Sequence, residues 1–146
     1  KLAKKMLDNN IKPELEVFDL GMINYAKYLI KKGLLKPPYY FNLILGNIAC
    51  AQADMMHLGL MINELPQNSI WSVGGVGKAQ LDMNALSLIG GGGVRIGLED
   101  NIWFDHDRTK LATNKEMIKR ILSISIALGK QPYSCKDARK LLKLKK

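Results

Sequence analysis

Histidine and cysteine are scarce in this chain, with two of each among 146 residues. Cys50 and Cys135 lie far apart and match no metal-binding or redox spacing, so both read as free thiols. His57 falls inside the helical run Met55-Met56-His57-Leu58 and reads as a packed or half-exposed helix histidine. His106, between Asp105 and Asp107, reads as a solvated loop residue. Neither makes a convincing metal ligand set. No run of about 18 apolar residues occurs, which removes the transmembrane helix from consideration. The lysine-rich first residues carry no apolar stretch of the kind a secretory signal needs, so the expectation is a soluble, cytoplasmic protein without a membrane partner. Aromatic residues make up only 7% and are not interleaved with the basic runs, which weakens the case for nucleic acid. An initiator methionine is also missing, and the chain is expected to be part of something longer.

What is present is an apolar fraction of 47%, enough for one ordinary core. The net charge is +9, with much of the basic excess in residues 27–36 and 136–146. Solvated helix faces account for such runs most simply, and attraction of an anionic metabolite such as a coenzyme comes next.

Four apolar, strand-like runs recur, over residues 14–18, 40–45, 70–73 and 94–98. Each is followed by a helical pattern or by a loop and then a helix. Ile23, Ala26, Ile30 and Leu34 keep helical spacing after the first, with Gly33 and Pro37 marking the stop. Met55, Leu58, Ile62 and Leu65 do the same after the second, before Pro66. The third run enters Gly74-Gly75-Val76-Gly77 and a helical stretch over about 78–89, ended by four glycines, Gly90 to Gly93. Beyond the fourth lie an irregular polar loop, 101–112, and a helix announced by Thr113 and Glu116 at capping-box spacing. Gly129 is placed to end that helix, and a last helix follows Pro132 with Ser134 as its cap. Residues 1–9 look like the tail of an earlier helix. Strict alternation of strand and helix predicts a parallel sheet, either doubly wound or part of a (β/α)8 barrel. Asp19, Gly46, Gly74, Glu99 and Asp100 all fall at carboxyl ends of predicted strands, which favours the barrel; four units supply half of one.

The segment Val94-Arg95-Ile96-Gly97-Leu98-Glu99-Asp100-Asn101 concentrates the candidate chemistry. Period-two alternation puts Val94, Ile96 and Leu98 on one face and Arg95, Gly97 and Glu99 on the other. A cation and two carboxylates there are costly to bury unless each finds a partner, a metal or a substrate. Glu99 is a hard oxygen donor at the strand lip. Glu14 and Glu16 share a face of the first strand, as paired acids suited to metal ligation or acid-base work; the bland alternative is a solvated Glu14 and a Glu16 bridged to a neighbouring strand. The amides of Gly74-Gly75-Val76-Gly77 have the setting of a phosphate cradle, although a tight packing turn explains the glycines equally well and no P-loop Lys-Ser/Thr follows.

Taken in order, Pro13-Glu14-Leu15-Glu16-Val17-Phe18-Asp19, Leu45-Gly46, Trp71-Ser72-Val73-Gly74-Gly75-Val76-Gly77 and the segment from Val94 to Asn101 resemble the second half of the β-keto acid cleavage enzymes. The likeness is to the lysine-fermentation branch, and it runs from about Lys12 to Leu144. The resemblance implies a zinc-dependent (β/α)8 barrel that joins a β-keto acid to acetyl-CoA and releases acetoacetate and a new acyl-CoA. It implies that Glu99 ligates Zn2+, that Arg95 and Asp100 form a relay helping to remove a proton, and that Glu16, with Gly74 and Gly75, lines the substrate pocket. It also implies that two zinc-binding histidines and a relay serine belong to the first half, which this chain lacks. On that reading the chain alone is expected to be inactive, and a homo-oligomer completed by the N-terminal half-barrel is expected. The loop 46–51 is less glycine-rich than the family leads one to expect.

A reading of another class is a non-catalytic half-barrel that binds a phosphate or coenzyme, or that assembles with a partner chain through its open edges and basic surface.

Overall fold

The computed structural model describes residues 1–144, an α/β arrangement in which strands and helices alternate. The order is α1 (Leu2–Asp8), β1 (Glu14–Val17), α2 (Leu20–Lys31), β2 (Tyr39–Leu45), α3 (Met55–Asn63), β3 (Ser69–Gly75), a 3-10 turn (Gly77–Ala79) leading into α4 (Gln80–Gly90), β4 (Gly93–Val94), α5 (Asn114–Ala127) and α6 (Cys135–Leu141). All strand pairings are parallel and consecutive, β1-β2-β3-β4.

The pleat divides the sheet into two chemically different faces. Val17, Phe41, Leu43, Leu45 and Val73 point one way and pack against Ile23 and Ala26 of α2, Leu58 and Met61 of α3, and Met83 of α4. Phe41, Leu43 and Met61 are wholly removed from solvent, each contributing on the order of 1.5–3 kcal/mol of hydrophobic burial. The intervening positions, Glu14, Glu16, Tyr40, Asn42 and Ser72, share the opposite face, where the side chains are mostly polar.

The helix boundaries follow local chemistry. Asp19 and Asp54 accept the amides of Met22 and His57 and cap α2 and α3. Thr113 and Glu116 form the expected capping box on α5, and Ser134 caps α6. Gly91 takes a left-handed φ of 88° just past α4, which a side chain adopts only with strain.

The fourth strand departs from expectation. Only Gly93 and Val94 pair with β3, whereas alternation predicts a strand over 94–98. Arg95 still donates its amide to Val73 O at 2.9 Å, whereas β3 keeps its pairing with β2 to its end, where Val76 N donates to Leu45 O at 3.0 Å. The segment after Arg95 loses its ladder partner and residues 98–100 form a turn. The helix expected over 78–89 likewise begins later, at Gln80, because Gly77–Ala79 winds as a 3-10 turn.

Candidate functional site

At the carboxyl end of the sheet, on its polar face, Arg95 gathers three carboxylates from two separate stretches of chain. Its Nε donates to Asp100 Oδ2 at 3.0 Å and its Nη2 to Asp100 Oδ1 at 3.4 Å, a side-on fork. Nη1 donates to Glu16 Oε1 at 2.8 Å, and Nη2 also donates to Glu99 Oε2 at 2.7 Å. Glu16 arrives from β1 at the far side of the sheet. The turn at residues 98–100, rather than strand alternation, folds Glu99 and Asp100 back onto the guanidinium.

The three acids sit in unlike surroundings. The Asp100 side chain is 7% exposed, that of Glu99 78% and that of Glu16 44%. Burial pushes the Asp100 carboxyl above its usual range, with the Arg95 hydrogen bond opposing and the neighbouring Glu99 adding to the rise. Glu99, in solvent, is held below its usual range by hydrogen bonds with Asp100 and then Arg95 and by the Arg95 charge. Burial alone lowers the pKa of Arg95, but hydrogen bonds to Asp100 and Glu99 and the charges of Asp100 and Glu16 outweigh it and raise that pKa. The cluster therefore carries a permanent cation, an ionised outer acid and a buried inner acid of higher proton affinity.

Of the two glycines at the end of β3, Gly74 borders this cluster and Gly75 packs on the other face. A Cβ on Gly74 would lie 3.4 Å from the Cβ and Cγ of Arg95 and 3.0 Å from the Ile44 side chain. One on Gly75 would meet the Ala79 carbonyl oxygen at 2.6 Å. Packing thus accounts for both residues. The amides of Val76, Gly77 and Ala79 donate to Leu45 O, Asp100 O and Val76 O, so these three are engaged within the chain and do not form a phosphate cradle.

One layer below Glu16 lies a second polar row that the charge pattern does not reveal. Asn42 Nδ2 donates to Glu14 Oε1 at 2.7 Å, Ser72 Oγ donates to Asn42 Oδ1 at 3.1 Å, and Tyr40 and Ser72 hydroxyls are 3.1 Å apart. Because Ser72 gives its hydrogen to Asn42, Tyr40 donates to Ser72, and the row runs from Tyr40 to Glu14. Glu14 and Glu16 therefore take different partners. The one available signal was Asn42 itself, a lone amide within the apolar strand Tyr39–Leu45.

The remaining candidates are placed apart from this cluster. Asp19 serves as a helix cap. His57 Nδ1 lies 2.8 Å from Asp54 Oδ2 at the start of α3, and His106 is exposed in the 101–112 loop. Cys50 and Cys135 are free thiols. Among the described residues no three His, Cys, Asp or Glu side chains converge in a group able to hold a metal ion. Also among them, no helix is long and apolar enough to cross a membrane.

Comparison with known proteins places this geometry in context. The family model for beta-keto acid cleavage enzymes matches residues 1–144. The chain is 38% identical to a 3-keto-5-aminohexanoate cleavage enzyme of Fusobacterium nucleatum and 33% identical to one of Acetoanaerobium sticklandii, in each case over 99% of this chain and 52% of the relative. It is 31% identical to a 3-dehydrocarnitine:acetyl-CoA trimethylamine transferase of Rhizobium meliloti, over 99% of this chain and 48% of the relative. The chain spans about half the length of the curated relatives it matches.

Proposed function

The chain belongs to the β-keto acid cleavage enzymes, and from that premise we propose that it forms the C-terminal half of a 3-keto-5-aminohexanoate cleavage enzyme or close relative acting in lysine fermentation. The reaction transfers an acyl group between a β-keto acid and acetyl-CoA, giving acetoacetate and a new acyl-CoA. The observation that carries the reading is Arg95 bonded at once to Glu16, Glu99 and Asp100 at the carboxyl ends of parallel strands. The consecutive strand order, with α2, α3 and α4 contributing to the core on one face, is read as half of a (β/α)8 barrel whose polar face becomes the interior. The outer edges of β1 and β4 have no strand neighbour among the described residues, and they are where an N-terminal half would close. Homo-oligomeric assembly and a cytoplasmic location complete the proposal.

On this reading Glu99 supplies one ligand of a zinc shell that the described residues do not themselves assemble. Glu99 offers an exposed, ionised oxygen donor at the lip, and its geometry leaves the other ligands to come from elsewhere. When bound, the metal would supply Lewis-acid polarisation of the substrate's keto and carboxylate oxygens. The chain's own residues do the rest. Arg95 presents fixed positive charge toward oxygens that become negative as the substrate carbon loses a proton. Asp100 holds that guanidinium side-on and, buried with a raised proton affinity, is the member of the relay able to take up the proton, while Arg95 stays charged throughout. Glu16 steadies the guanidinium from the far strand and lines the pocket, with Gly74 leaving space beside the Arg95 side chain.

In the full-length protein, Arg95→Ala is expected to lower kcat on the order of 10²–10³-fold or more while zinc stays bound. Glu99→Ala is expected to lose zinc and turnover together. Metal analysis with an acetyl-CoA-dependent acetoacetate assay reads both, and full turnover in either variant sinks the assignment. A protein with neither zinc nor turnover leaves the non-catalytic half-barrel as the better reading.

A further inference from the structure

Helix α4 buries three polar side chains in a row on one face, Gln80, Asn84 and Ser87, all without solvent exposure. Their spacing of four and then three residues stacks them along the helix. Each donates to the backbone of the segment that carries Arg95. Ser87 Oγ donates to Gly93 O at 2.5 Å, Asn84 Nδ2 to Arg95 O at 2.9 Å, and Gln80 Nε2 to Gly97 O at 2.9 Å. Asn84 Nδ2 also donates to Val73 O at 2.9 Å, the carbonyl that already accepts the Arg95 amide. The carbonyls at 93, 95 and 97 recur every second residue, as one side of an extended chain requires. Helix side chains therefore hold this stretch where, beyond Val94, the β-ladder has stopped.

Stability alone is a poor reason for this row. A helix packed on a sheet ordinarily fills such positions with Leu or Met, as α4 does at Met83 and Leu88. Here the amide oxygens of Gln80 and Asn84 are buried without a hydrogen-bond partner, a standing cost that an apolar residue avoids. The donors explain why the amides are there. Carbonyls only accept, so both side chains must turn their NH2 groups toward the segment and leave their oxygens unmatched.

We infer that Gln80, Asn84 and Ser87 are positioning residues for Arg95, with Asn84 at the centre because it grips the Arg95 carbonyl and the β3 carbonyl beneath it. They touch no substrate. They fix the backbone from which the guanidinium reaches three carboxylates, at a sheet edge whose two-residue ladder is too short to do so. The functional side of this inference rests on the role proposed for Arg95; the structural side does not.

The test is made in the full-length protein with two readouts. The first is hydrogen exchange of the Arg95 Nε–H, which Asp100 holds. Asn84→Ala is expected to speed it by up to about tenfold, the worth of one net hydrogen bond, while amides in the middle of β2 keep their protection. The second is a double-mutant cycle. Asn84→Ala is expected to lower kcat with little change in KM, and to have no further effect on an Arg95→Ala background. Should Asn84→Ala fail to fold, Ser87→Ala, which removes one donor and leaves no charge, reads the same two quantities at smaller amplitude. Unchanged Nε–H exchange in variants that fold overturns the inference. Equal, additive losses with and without Arg95 also overturn it. Full activity of Arg95→Ala would instead overturn the role proposed for Arg95 and leave the exchange result to decide the structural claim.

Discussion

Gly90-Gly91-Gly92-Gly93 shows how far single residues can be read before their neighbours are known. Four glycines in a row announce that a helix stops, and Gly91 does stop α4 with its left-handed backbone. Gly92 has another duty that no local pattern carries. A Cβ there would fall 2.0 Å from Trp71 Cζ3 and 2.3 Å from Cε3, inside the indole ring. Trp71 lies on β3 and meets the glycine only because β3 and β4 are adjacent, so the contact belongs to tertiary structure. Gly92→Ala is expected to displace the indole and destabilise the fold by roughly 1–3 kcal/mol, as overpacking does. Denaturant unfolding followed by tryptophan fluorescence checks it, and an unchanged midpoint with an unchanged spectrum would contradict the contact. The same limit applies to Arg95: its charge neighbours in sequence, Glu99 and Asp100, were legible, whereas Glu16 needed the sheet to bring it across.

At the scale of elements, the caps and the alternation were readable because each depends on residues within one turn of helix. Thr113 with Glu116 and Ser134 with Asp137 are local devices and appear as expected. The end of β4 was not readable, since it depends on where its pairing with β3 stops and on α4 offering side-chain donors in place of a ladder. The loop 101–112 also has more order than its composition suggests. Asp105 accepts the amides of Thr109 at 3.0 Å and Lys110 at 2.8 Å as well as the Thr109 hydroxyl, while Trp103 pairs with Leu111 across the loop. The Thr109 side-chain hydrogen bond, followed by the Lys110 amide, pulls the Asp105 pKa down to about 2. A carboxyl depressed in the folded state adds stability above its unfolded value near 3.8, and that contribution is lost as pH falls through about 2. The loop is therefore expected to stay tied at pH 4 and to release only as pH falls through about 2. Titrating the Asp105 carboxyl carbon and the Thr109 and Lys110 amides by NMR measures this, with Asp105→Asn removing the transition; a midpoint at the ordinary carboxylate value would show that the loop bonds do not persist in solution.

For the whole molecule, the order of the four strands leaves one question that the edges answer. Arg95 donates its amide inward to Val73, so alternation turns the amides of Val94 and Ile96 outward, away from β3. That rim opens onto a cleft of about 740 Å³ between β3, β4 and the helices α5 and α6, lined by Ile70, Trp71, Ile121 and Leu142 among others. An apolar cleft beside a free strand edge is a poor surface to leave in water, and the half-barrel proposal supplies a further strand to cover it. In the full-length protein the Val94 and Ile96 amides are expected to exchange slowly with solvent deuterium, whereas in a chain cut to these 146 residues they should exchange orders of magnitude faster with β2 still protected. Slow exchange that depends on the remaining half means that β4 is an interior strand and that Arg95 stands inside a closed ring of strands. Free exchange at both amides in the full-length protein would mean that the sheet ends at β4, and the barrel would have to be abandoned even with the family assignment intact.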